Sequence, residues 1–240
     1  MPHLSIIIPA HNEEERIGPT LERVAAYLAG QPYDSEVIVV DDVSADRTGE
    51  VVDALAAGHP TFRRLRRDAN PGKGAAVRDG MLAARGEYRL FSDADLSTPI
   101  EETAKLLAAC EGEYHVAIAS RALPESNLAV RQPWFRETMG RTFNLMVQVG
   151  AVWGIKDTQC GFKCFRAAVA EELFSRMTIT GFAFDVEILY LARKRGYRIA
   201  EIPVTWINSP KSRVSPIRDS LRMMRDLIRI RWRGLRGVYR

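Results

Sequence analysis

Five short runs of β-branched and apolar residues recur through the first half of the chain, with stretches of helical periodicity between them. The runs lie at residues 4–8, 36–40, 61–65, 88–91 and 116–119, and the helical patterns near 14–29, 45–57, 73–84 and 100–110. No other feature restricts the fold as much. Unbroken apolar stretches such as "SIII" and "VIVV" suit strands covered on both faces. Alternation at this spacing predicts a mostly parallel, doubly wound α/β sheet flanked by helices. Ligands of such sheets bind beyond the carboxyl ends of the strands. The connections there read "PAHNE" (9–13), "DDVSADRT" (41–48), "NPGKG" (70–74) and "SDADLS" (92–97), so the unusual polar residues gather on one edge.

The second half changes character. A polar, proline-punctuated loop covers 120–133, and an amphipathic helix is expected over 134–148. Then come "IKDTQCGFKCF" (155–165), a helix through 182–196, a strand over 199–206 and a last helix from Pro216.

Composition excludes several classes. Apolar residues make up 46% and charged residues 27%, as in an ordinary globular protein. Three cysteines, Cys110, Cys160 and Cys164, make an odd count without a C-x-x-C pair. That speaks against a disulfide framework or a zinc site and for a reducing compartment. No secretory leader is expected before "LSIIIPA", and no apolar run reaches the length of a membrane span.

The net charge of +4 is unevenly spread. Residues 216–240 carry eight arginines against Asp219 and Asp226, a balance of +6, so the remaining residues sum to −2. A basic tail of this kind takes a polyanionic partner.

The chemistry-bearing stretch is "LFSDADLSTP" (90–99). On an extended segment Asp93 and Asp95 point the same way and can face one divalent cation. Magnesium and manganese bind through one or two carboxylates plus substrate phosphates and water. A helix cap at Asp95 or Ser97 is the plainer reading. Lys73, in "PGKG" at a helix start, suits a phosphate, although the spacing is not that of a P-loop ATPase. Asp41 and Asp42 end the second strand, where a carboxylate either caps the next helix or bonds a base or ribose.

Together, "SIIIPAHNEE", "VIVVDDVSADRT", "NPGKGAAVRDGMLAARGEY" and "SDADLS" resemble, in order and spacing, the family 2 inverting glycosyltransferases of GT-A fold. The later "SRAL", "DTQCGFKCF", "FAFDVEILYLARKRGY" and "EIPVTW" resemble the polyprenyl-phosphate sugar transferases, the dolichyl-phosphate β-glucosyltransferases first and the mannosyltransferases next. The resemblance implies a nucleotide site made by Pro9, His11, Glu13, Val40, Asp42, Lys73, Asp93 and Ala94. Asp93 and Asp95 become the ligands of magnesium or manganese. Arg121, Arg136 and Arg141 fall on the acceptor phosphate side, and Asp95, Arg121, Arg136, Asp157 and Asp185 on the catalytic side. Asp185 is nearer the place where hydroxyl-accepting relatives keep a base. His11 replaces a usual tyrosine, Ser97 a glutamine of some relatives, and Val43 the glycine of "DDGS", a change tolerable where the turn needs no positive φ.

The implied reaction transfers a hexose, first glucose from UDP-glucose, to a polyprenyl or dolichyl phosphate with inversion. GDP-mannose as donor, a sugar or protein hydroxyl as acceptor, and a nucleotide-sugar sensor without turnover remain rivals. A nucleotidyltransferase would need a glycine-rich loop before its first helix.

Residues 1–215 are expected as the catalytic domain and 216–240 as a basic amphipathic helix at a membrane interface. Ile217, Leu221, Met224, Ile228, Trp232 and Leu235 recur at three- and four-residue steps among the arginines. Such a helix lies on anionic lipid, which makes the protein peripheral on the cytoplasmic face of a membrane. Packing of the same helix on the sheet is the alternative. Nothing resembles a nucleic-acid module, and the oligomeric state stays open.

Overall fold

The alternation of apolar runs builds one seven-stranded sheet in the computed structural model, which describes residues 1–130, 152–208 and 216–239. The strands are β1 (Leu4–Ala10), β2 (Ser35–Asp41), β3 (Phe62–Arg66), β4 (Tyr88–Ser92), β5 (Val116–Ser120), β7 (Phe162–Arg166) and β8 (Ile199–Pro203), in the order β3-β2-β1-β4-β7-β5-β8. A second, two-stranded sheet pairs β6 (Asn127–Val130) with β9 (Thr205–Ile207). The helices are α1 (Glu14–Ala29), α2 (Thr48–Gly58), α3 (Lys73–Ala83), α4 (Thr103–Glu111), α5 (Ala167–Arg176), α6 (Phe184–Lys194) and α7 (Pro216–Leu235).

Period-two alternation explains why β1 and β2 read as continuous apolar runs. Ile6 and Ile8 join a core with Val37, Leu90, Leu21 and Leu106 on one face. Ile7 joins Ile38, Phe91, Phe165 and Phe184 on the other. Each face is covered by helices, so neither set can be polar.

The sheet is mostly parallel, with one exception. β7 runs antiparallel to both β4 and β5, with Ser92 opposite Phe162 and Ile118 opposite Lys163. Sequence periodicity assigned no element to β7 or α5. The expected single strand over 199–206 divides at Val204, β8 joining the large sheet and β9 the small one. The expected helix over 134–148, with Arg136 and Arg141, lies outside the described residues.

α7 packs on the body of the protein. Met223, Leu227 and Ile230 are buried in the core that contains Leu189 and Leu191 of α6. Lys194 Nζ donates to Gly234 O at 2.7 Å. The face expected to be apolar is another one: Ile228 is 66%, Trp232 51% and Leu235 82% exposed, while Met224 is half-buried. Among the described residues no helix is long and apolar enough to cross a membrane.

Candidate active site

Three connections at one sheet edge are stitched together by their own polar groups. The loop after β1 meets the loop after β2 through His11 Nδ1 and Asp42 O (2.8 Å), Asn12 N and Ser44 Oγ (3.0 Å), and Glu13 N and Thr48 Oγ1 (2.7 Å). Pro9 and Val40 face each other in the β1–β2 register just before these loops. Asn70 Nδ2 reaches Asp42 O at 3.1 Å and so joins the loop before α3 to the same cluster. Glu13 accepts from Arg16 Nε at 2.6 Å.

The two aspartates after β2 do different work. Asp41 closes its own turn by accepting from Ser44 N at 2.9 Å, and Arg64 holds its other oxygen at 3.1 Å. Asp42 accepts from Arg67 at 2.5 Å, and Arg67 also bonds Asp79 at 2.8 Å. Burial pushes the Asp42 carboxyl up, against the pull of Arg67. Arg67 and Asp79 line an open cleft of about 340 Å³ with Leu65, Arg66, Asp68 and Ala69. Sequence reading missed Arg67, because an arginine following "RRLR" looks like one more solvated charge.

The turn of residues 41–44 does need a left-handed residue, and Val43 adopts φ 59. The condition under which valine would replace that glycine without strain, a turn that needs no positive φ, is therefore not met. Asn12 (φ 53) and Leu96 (φ 45) are the other described non-glycine residues of this kind. All three follow strands at the same edge. Unusual backbone conformation of this sort collects at functional sites held by their surroundings.

Asp93 and Asp95 sit beyond β4 on a turn, not on an extended segment. Leu96 N donates to Asp93 O at 3.2 Å, and Ser97 N donates to Asp95 Oδ1 at 3.0 Å. Between them, Ala94 O accepts from Thr20 Oγ1 at 2.7 Å, which pins the turn to α1. Asp93 N donates to Gly161 O at 3.1 Å, and a Cβ on Gly161 would stand 2.1 Å from Asp93 Oδ2. Lys73 Nζ lies 2.5 Å from Asp93 Oδ1. Burial works against the Lys73 ammonium, but Asp93, Asp185 and Asp95 outweigh it and hold its pKa above the ordinary value. An oxygen-only pair of this type suits a hard divalent cation. Among the described residues no three His, Cys, Asp or Glu side chains gather as a metal group. A cation here would draw its other ligands from phosphate and water.

Arg121 is held in one orientation by Asp157. Its Nε and NH2 donate to the two Asp157 oxygens at 2.7 and 2.9 Å, and its backbone N donates to Oδ2 at 2.9 Å. The guanidinium also lies 5.5 Å from the centre of the Trp206 ring. Burial would raise the Asp157 carboxyl, yet Arg121 overrides it and the group titrates below its usual range. Glu201 supports the pair by accepting from Asp157 N at 2.8 Å.

Asp185 is buried and ion-paired to Lys163, itself without exposed surface. The same ammonium donates to Cys160 O at 2.6 Å. Burial raises the Asp185 carboxyl, with Lys163 and Lys73 opposing. Asp185 is thus paired with a lysine, whereas the carboxylate that holds Arg121 is Asp157. Lys163 was not found from sequence, since a lysine amid "GFKCF" reads as a surface residue.

The profile of Glycosyl transferase family 2 matches residues 5–174. A dolichyl-phosphate beta-glucosyltransferase of Dictyostelium discoideum is 35% identical over 99% of this chain and 76% of its own length. One of Drosophila melanogaster is 39% identical over 99% of this chain and 77% of its own. Among solved structures, glucosyl-3-phosphoglycerate synthase of Mycobacterium tuberculosis, in complex with Mn2+, UDP and glucosyl-3-phosphoglycerate, superposes with a TM-score of 0.69 at 19% identity, covering 95% of this chain and 78% of that one. The fold is that of the GT-A glycosyltransferases. With its site loops in family order on that fold and its likeness to these glucosyltransferases running nearly end to end, the chain belongs to glycosyl transferase family 2.

Proposed function

We propose that this chain transfers glucose from UDP-glucose to a polyprenyl phosphate of the dolichyl kind, with inversion to a β-linked lipid phosphate sugar. The observation that carries the reading is the likeness to dolichyl-phosphate beta-glucosyltransferases over 99% of the chain. The chemistry of the site supports it. In this reading Pro9, His11, Glu13 and Asp42 hold the base and ribose, Val40 and Ala94 belong to the same nucleotide site, and Lys73 meets the donor diphosphate. Asp93 and Asp95 would hold magnesium or manganese. Such an ion, when bound, neutralises charge developing on the leaving nucleoside diphosphate.

A phosphate monoester has a second pKa of about 6 and reaches the site already anionic. It needs docking, not deprotonation. The commitment of Asp185 to Lys163 supports this, because a carboxylate held in a buried ion pair is poorly placed to take a proton from a hydroxyl. Arg121, oriented by Asp157, offers a guanidinium of fixed direction, and planar guanidinium groups match phosphate. Arg136 and Arg141 complete the acceptor side in this reading.

The acceptor's bilayer has a matching surface. Ile228, Trp232 and Leu235 are exposed on α7, and Arg222, Arg225 and Arg229 follow at helical steps beside them. Apolar residues with an interfacial tryptophan and flanking arginines suit an anionic lipid surface. Residues 1–215 then form the catalytic unit and 216–240 the interface element. The protein works peripherally on the cytoplasmic face, the reducing side that its free cysteines favour.

Incubation with labelled UDP-glucose or GDP-mannose, magnesium or manganese and a short polyprenyl phosphate, followed by organic extraction, tests this. Label should enter the organic phase from UDP-glucose. Label from GDP-mannose alone would make the enzyme a mannosyltransferase. Label only in a water-soluble glycoside would move the acceptor to a hydroxyl.

A further inference from the structure

Glu187 is a charged side chain with no exposed surface. It accepts four donors from two distant parts of the chain. Thr178 N (2.9 Å), Ile179 N (2.7 Å) and the Thr178 hydroxyl come from the loop before α6. The fourth is the Tyr239 hydroxyl at 2.6 Å, from the segment following α7. Arg233 of α7 donates to the same Thr178 hydroxyl. Tyr239 is 1% exposed, and its ring meets Tyr190 of α6 edge-on at 6.1 Å. A buried carboxylate needs this many donors to offset its desolvation.

The loop so anchored presses on the start of α3. Thr180 O accepts from Ala75 N at 3.2 Å. Gly72 has φ 129, and a Cβ there would stand 2.7 Å from Thr180 O. A Cβ on Gly74 would stand 2.9 Å from Gly181 O and 3.0 Å from Ile179 O. The backbone on either side of Lys73 therefore rests on residues 179–181, with glycine at both positions because nothing larger fits. Lys73 in turn holds Asp93. A continuous set of contacts runs from Tyr239 and Arg233, through Thr178 and Glu187, to the loop that carries Lys73.

We propose that Tyr239 and Glu187 are positioning residues for the nucleotide-sugar donor: the segment after α7 braces residues 178–181, which fix the 72–74 backbone and hence Lys73. This rests on the reading of Lys73 as a donor-phosphate contact. The brace bears on the phosphate end of the site. Residues 41–48, read as the base side, are tied to the start of α1 and the end of β3 through Glu13, Glu14 and Arg67, and to the loop before α3 through Asn70.

The test uses the full chain with Tyr239→Phe and Thr178→Val, and Thr178→Ser as the conservative variant that keeps the hydroxyl. UDP binding with manganese is measured by calorimetry, and hydrogen exchange is followed in peptides covering 72–76, 178–182 and 41–48. Tyr239→Phe and Thr178→Val should each weaken UDP by about tenfold, the scale of one lost hydrogen bond to a charged group. Exchange should quicken at 72–76 and 178–182 but not at 41–48, and the donor KM should rise while the acceptor KM holds. Thr178→Ser should behave as wild type. Quickened exchange confined to α7, with UDP affinity unchanged, would overturn the brace. A wild-type chain that does not bind UDP would overturn the donor reading instead, and the exchange pattern at 72–76 would still decide the brace.

Discussion

Gly161 lies directly under the carboxylate of Asp93, so close that a Cβ there would stand 2.1 Å from Oδ2. Since Lys73 holds Oδ1 at 2.5 Å, the carboxylate is confined from two sides. The turn after β4 and the turn before β7 are adjacent because β4 and β7 pair antiparallel, with Ser92 opposite Phe162.

Gly161→Ala should consequently displace the Asp93 carboxylate while leaving the strands in place. Turnover should fall at least tenfold, since a misplaced charge contact costs on the order of 1.5–3 kcal/mol. Thermal unfolding should shift far less than turnover does. Wild-type kinetics in this variant would remove Asp93 from the donor site.

Arg121→Ala should leave Asp157 buried without its cation, costing about 3–5 kcal/mol at neutral pH. In the wild type, Asp157 titrates below the ordinary value of 3.8, so its stabilising contribution is complete above that pH and lost as pH falls through its lower folded value. In the variant, burial acts unopposed by Arg121 and the carboxyl is raised. The penalty should then shrink as pH drops toward 3, where the acid is neutral. Urea unfolding of both proteins at pH 7 and pH 4 checks the sign.

Val43→Gly should stabilise the protein. A β-branched residue at φ 59 costs on the order of 1–3 kcal/mol, and glycine gives back up to about 1 kcal/mol through its freer unfolded chain. A gain of roughly 1 kcal/mol should appear as a higher denaturant midpoint with an unchanged slope. A loss of stability would mean that the Val43 side chain packs well enough to outweigh the strain.

The exposed face of α7 should bind vesicles containing anionic lipid. Each arginine near such a surface contributes about 1 kcal/mol, screened over a Debye length of about 8 Å. Replacing Arg222, Arg225 and Arg229 with glutamate should abolish sedimentation with vesicles and leave UDP binding untouched. High salt should release the wild type only in part, because Ile228, Trp232 and Leu235 add a salt-insensitive share. Turnover with a soluble short-chain acceptor should survive the triple change. Equal pelleting of variant and wild type would show that α7 serves packing alone.

Elements whose signal is local were legible in the sequence. Period-two apolar runs located β1 to β5 to within two residues, because a strand covered on both faces cannot be polar on either. The loops at their carboxyl ends followed from the topology, and Lys73, Asp93, Asp95 and Asp42 were legible there as polar residues gathered at one edge, with His11 marked by the family resemblance. The rest depends on contacts between distant parts of the chain. The insertion of β7 between β4 and β5 depends on pairings between residues far apart in the chain, for example Ser92 with Phe162 and Ile118 with Lys163, and no local pattern encodes a partner. Lys163, Arg67 and Glu187 look like solvated charges in the sequence, yet the fold buries Lys163 and Glu187 and partly covers Arg67, each beside the charge or donors that offset its desolvation. α7 shows the limit from the other side. Its periodicity gives an apolar stripe but cannot say whether that stripe meets protein or water, and the structure commits Met223, Leu227 and Ile230 to the core while Ile228 and Trp232 stay outside. Burial is a property of what surrounds a side chain, and the surroundings come from distant parts of the chain.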